Sequence, residues 1–79
     1  MRYKKGKYYL YQNLKDVHIF KYICCRYIKD SKIKYHICRI IKYSNYPKFS
    51  GKIDSFTDNS IIANNAKEIS EKEAFFWAL

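Results

Sequence analysis

Between Val17 and Tyr43 the chain carries two runs, VHIFKYICCRYI (Val17–Ile28) and IKYHICRIIKY (Ile33–Tyr43), separated only by the polar KDSK. β-Branched and aromatic residues dominate both runs, the composition of strands that fit a pleated, half-buried surface. Phe20, Ile23, Cys24 and Tyr27 also recur at helical spacing, but residue type and the turn chemistry of Asp30 and Ser31 favour strands. Two strands joined by so short a link pair antiparallel, and this hairpin sets the fold class.

The flanking segments extend the same architecture. KYYLYQ (Lys7–Gln12) reads as a strand bounded by Gly6 and the turn residues of Asn13–Asp16. After a loop at Ser44–Lys52, held by Pro47 and Gly51, a short strand is expected around Lys52–Phe56 and another at Ser60–Ala63. Ser70 followed by Glu73 is a capping box, which starts a helix over residues 71–79. The expected fold is mainly β: one domain over residues 1–79, an antiparallel meander of four to five strands within residues 3–63, and one C-terminal helix. An SH3-like open barrel is its most natural shape, with a flat sheet crossed by one helix as the alternative. So short a helix needs a docking surface. Phe75, Phe76, Trp77 and Leu79 are expected to cover one sheet face, or else Phe76, Trp77 and Leu79 form an interface with a partner or a second copy.

Pairing Cys25 with His36 and Arg26 with Tyr35 sorts the hairpin into two faces. His18, Phe20, Tyr22, Cys24, Arg26, Tyr35, Ile37, Arg39 and Tyr43 make an apolar, aromatic face, expected to form the core beneath the helix. Lys21, Lys34, His36 and Lys42 lie on the other, expected to meet solvent or a polyanion. This register also places Cys25 and Cys38 beside His36, the beginning of a zinc site. A structural zinc takes four ligands, usually with paired short spacings, so the three cysteines read instead as small hydrophobes.

Charge is divided along the chain. Residues 1–52 hold fourteen Lys and Arg against Asp16 and Asp30, a balance of +12, while residues 53–79 carry −3. A basic body suits nucleic acid or an acidic protein surface. Thirteen lysines against three arginines, with eleven isoleucines, is also what A/T-rich coding produces. Lysines supply a sequence-independent attraction to phosphates, and exposed tyrosines offer faces for base stacking. The residues expected to do so are Lys21, Lys34, His36, Lys42, Tyr27, Lys4 and Lys5.

Other functions have less in the sequence behind them. A chain of 79 residues has a thin core and little room for a deep cleft. The Cys–His pair lacks a third orienting group, and SGK at Ser50–Lys52 lacks the remainder of a phosphate loop. The expectation is a non-catalytic binding module without a cofactor. It is also expected to be cytoplasmic, because no apolar run approaches the roughly 18–20 residues that span a bilayer. The alternative expectation is a phage or mobile-element inhibitor that blocks a host protein such as a nucleic-acid-processing or CRISPR defence enzyme. A self-assembling subunit is the third.

Overall fold

The computed structural model describes residues 3–28 and 32–79. Five antiparallel strands form one open sheet: β1 (Tyr8–Gln12), β2 (Val17–Tyr27), β3 (Lys34–Tyr43), β4 (Ile53–Thr57) and β5 (Lys67–Ile69). Their spatial order is β4-β3-β2-β1-β5. The first four strands make the expected meander. A short helix, α1 (Ile61–Asn65), then carries the chain from the β4 edge to the β5 edge, and α2 (Glu71–Ala78) closes the fold. The expected turn residues Lys29, Asp30 and Ser31 lie outside the described residues.

Local chemistry explains most boundaries. Asn13 turns the chain between β1 and β2: its Oδ1 accepts from the backbone N–H groups of Lys15 and Asp16 at 2.8 and 2.7 Å. The Ser70 hydroxyl accepts from the Glu73 N–H at 3.0 Å, the first half of the expected capping box. Ser60 does the same for Ala63, and here the structure corrects the sequence reading. The expected strand at Ser60–Ala63 does not form. The serine cap and the side-chain bonds of Asn64 and Asn65 to backbone carbonyls one turn back close a helical turn instead.

Two β-bulges determine which side chains face which way. The β2–β3 register shifts once between Tyr22 and Cys24, leaving Ile23 as the extra residue on β2. It shifts back between Ile19 and Phe20, leaving Ile41 as the extra residue on β3. Cys25 pairs with His36 and Arg26 with Tyr35 as expected, but Tyr22 meets Cys38 and Lys21 meets Arg39. A shift of one residue exchanges the faces. The expected apolar face is therefore divided, with Phe20 and Tyr22 on one side of the sheet and Cys24, Arg26, Tyr35 and Arg39 on the other.

Both faces carry a core. On the first, Tyr8, Leu10, Ile19 and Ile69 pack against Ala74 of α2, with Val17, Ile41 and Trp77 at the margin. On the second, Tyr9, Phe20, Tyr22, Cys38 and Ala66 pack together beneath Tyr3, Phe56 and Ile62. The helix thus lies on the Ile19 face, opposite the one expected. Ala74 and Trp77 dock and the half-exposed Phe75 ring lies 6.0 Å from that of Tyr8, whereas Phe76 is 75% exposed and Leu79 also faces solvent.

Candidate functional site

On the Phe20 face, the bulge at Ile23 brings Tyr22 and Cys25 to the same side as His36. His36, expected on an exposed basic surface, is only 3% exposed. The rings of Tyr3, Tyr22 and Phe56, with centroids 5.1–5.5 Å from the imidazole, bury it. Its Nδ1 lies 2.7 Å from the Tyr22 hydroxyl, and its Nε2 is hydrogen-bonded to Asp58 Oδ1. The bond from His36 holds the Asp58 carboxyl below its ordinary range, helped by the charge of Lys34. An ionised carboxylate only accepts, so Nε2 is the donor in the bond to Asp58, while Nδ1 meets the Tyr22 hydroxyl. Burial pushes the Tyr22 phenol well above its ordinary range, which keeps the proton on its oxygen. A cavity of about 260 Å³ opens over this chain, with Lys5, Lys34 and Cys25 at its rim.

The three thiols differ in placement: Cys25 is exposed, Cys24 is half-buried, and only Cys38 is a buried packing group. Cys38 is buried, and burial pushes its thiol up to about 12. Cys25 and Cys38 do share a face with His36, but both nitrogens of His36 are engaged by Tyr22 and Asp58. Among the described residues, no three His, Cys, Asp or Glu side chains are grouped to hold a metal.

The sequence-predicted basic set is split between the two faces. Lys34, Lys5 and the exposed Tyr27 gather near the His36 cavity, since Tyr27 pairs with Lys34. Lys4 is exposed, and its backbone N–H donates to Tyr9 Oη at 2.8 Å. Lys21 and Lys42 point to the helix side. Lys42 Nζ donates to the Trp77 carbonyl at 3.0 Å, so it caps the end of α2. Lys21 Nζ sits 5.7 Å from the Tyr8 ring centroid.

A second basic surface was missed. Helix α2 covers only the Ile19 half of its sheet face. On the other half Arg26, Arg39, Ile53 and Ser55 are exposed, and Lys21, Tyr35 and Ile37 are half-buried. The register places Lys21 directly opposite Arg39, and Arg26 opposite Tyr35. Like charges facing each other across a ladder destabilise it. Neither cation has a carboxylate to offset this: Arg39 donates to the Gly51 carbonyl at 2.7 Å, and Lys21 leans on Tyr8. Among the described residues, no lysine or arginine forms an ion pair. The bulges that create this surface leave no mark in a period-two pattern, which is why Arg26 and Arg39 were expected in the core.

Comparison with family models, curated protein sequences and solved structures finds no match for the chain. Among the described residues, no helix is long and apolar enough to cross a membrane.

Two of the shifted residues, His18 and Asp58, make stability fall on acidification. His18 Nδ1 is buried without a hydrogen-bond partner, and burial lowers the imidazole below its ordinary 6.5. The unfolded chain therefore takes up this proton first as pH falls. The stability associated with His18 is intact above 6.5 and declines below it. The Asp58 contribution is intact above its ordinary 3.8 and is lost as pH falls through its lowered folded value. Urea titrations should show a midpoint that is steady from about pH 8 to 7 and falls in two stages on acidification. His18→Phe should remove the upper stage.

Proposed function

We propose that the protein is a non-catalytic nucleic-acid-binding module whose contact surface is the open half of the α2-side sheet face. The observation that carries this reading is the unneutralised pair of half-buried Lys21 and exposed Arg39, on the same face as Arg26 and Tyr35. A like-charge pair that costs fold stability is accounted for if a polyanion neutralises it on binding. Tyr35 adds an aromatic face between the cations, the arrangement on which bases stack along a phosphate track. Lys5 and Lys34 extend positive charge around the hairpin to the second face, with Tyr27 paired to Lys34. Asp58 beside Lys34 makes that side the less favourable one for phosphates.

Fluorescence anisotropy of a labelled oligonucleotide tests the reading. Binding through three or four phosphates should weaken roughly 20- to 150-fold between 50 and 200 mM salt. Arg39→Glu should lower affinity and reduce the salt slope by about one unit. Affinity indifferent to salt and to Arg39→Glu would refute the proposal. If the protein instead binds an acidic protein with that same dependence while ignoring oligonucleotides, the surface is a protein interface.

A further inference from the structure

The β3–β4 connection, Ser44–Lys52, is held to the sheet rather than loose. Gly51 N–H donates to the Ile40 carbonyl at 2.7 Å, and the Ile40 N–H donates to the Lys52 carbonyl at 2.8 Å. Ser50 Oγ donates to the Ile41 carbonyl at 2.7 Å. Gly51 supplies the reversal at φ 84°, a left-handed value that favours glycine. Pro47 opens a 3₁₀ turn over Pro47–Phe49 that presents two aromatic rings. Tyr46 and Phe49 are 57% and 42% exposed, although their ring centroids are only 5.6 Å apart.

These rings wall a cavity of about 290 Å³ together with Tyr43 and Ile53. Its polar groups are Lys52, whose Nζ lies 5.7 Å from the Phe49 ring centroid, and Asp54. Asp54 accepts from Tyr43 O–H at 3.2 Å and from the Ser55 N–H at 2.8 Å. Lys48 on the same turn is exposed, and Arg39 reaches the turn through Gly51. Asp54 pairs with Cys38 and so faces the Phe20 side; the cavity therefore lies at the β4 edge, across that edge from the proposed phosphate track, and is itself flanked by cations.

Resting on the nucleic-acid reading above, we infer that this cavity takes one unstacked base of a single strand, and that the base it prefers is guanine. Aromatic walls with neighbouring lysines and an arginine match the stacking platform and phosphate contacts of single-strand binders. A paired base in a duplex cannot enter, because its faces are already stacked. The polar edge of the cavity is a carboxylate, which only accepts. Guanine alone among the bases presents two adjacent donors, a ring N–H and an amino group. The other bases set acceptors beside their donors, and a carboxylate repels these.

The test uses three fluorescein-labelled 11-mers: oligo-dT, the same strand with one central dG, and that dG strand annealed to its complement. The dG strand should bind about fivefold more tightly than oligo-dT and more tightly than the duplex. Phe49→Ala and Tyr46→Ala should each weaken single-strand binding roughly tenfold and leave duplex binding nearly unchanged. Asp54→Asn should remove the dG preference, with circular dichroism confirming the fold. Salt-dependent binding with no difference among the strands, unchanged by Phe49→Ala and Tyr46→Ala, overturns the base pocket and leaves the wider reading intact. Failure of all three strands to bind overturns both.

Discussion

Phe20→Ala is expected to remove about 3–5 kcal/mol of folding stability. Phe20 has no exposed surface and lies within 5.3–6.1 Å of the rings of Phe56, Tyr9 and Tyr3. Its loss would open a cavity in a core covered by the partly buried Tyr3, Tyr11, Phe56 and Ile62. A domain of 79 residues has a total stability of about 4–12 kcal/mol, so the variant should be largely unfolded in mild urea. Phe76→Ala provides the contrast. That ring faces solvent, and its removal should change stability by less than about 0.5 kcal/mol. Chemical denaturation of both variants gives the comparison. A Phe20→Ala loss below about 1 kcal/mol would mean that the Phe20-face cluster is not a core.

The second large effect has opposite signs in two assays. Lys21→Glu should stabilise the fold by about 0.2–1 kcal/mol, because it turns a like-charge cross-strand pair with Arg39 into an attractive one. The same change should weaken oligonucleotide binding by well over tenfold. It reverses one phosphate-facing charge and occupies Arg39 with an internal carboxylate. Ordinary surface substitutions do not raise the melting temperature while abolishing a function. If Lys21→Glu destabilises the protein, the register opposing Lys21 to Arg39 is wrong. If it stabilises and binding persists, the surface is not the contact face.

The hairpin was legible because composition alone marks Val17–Tyr27 and Lys34–Tyr43 as strands, and the Ser70–Glu73 cap marked the start of α2. The face assignment was not legible. Each bulge adds one residue at Ile23 or Ile41, both apolar and both ordinary strand residues, so nothing in the sequence announces the shift. β5 escaped notice because three residues with only Ile69 buried carry no periodicity; the strand exists because β1 offers it an edge. Helix α1 was hidden by Ile61 and Ile62, whose strand preference yields to the Ser60 cap. The Tyr22–His36–Asp58 chain joins residues from β2, β3 and the segment after β4. Its existence depends on the register and the crossover together, so only His36 was singled out in advance, and for a different role.

The placement of the contact surface is the central claim, and backbone amide shift mapping tests it most directly. The labelled protein is titrated with a single-stranded oligonucleotide and its ¹H–¹⁵N spectrum followed. Perturbations should concentrate at Lys21, Cys24, Arg26, Tyr35, Ile37, Arg39 and Ser55, extend to Tyr46, Phe49 and Asp54 where the base cavity is filled, and spare Ile61–Asn65 of α1. Perturbations centred on α1 and the His36 cavity, or a spectrum unchanged at saturating oligonucleotide, would contradict the account.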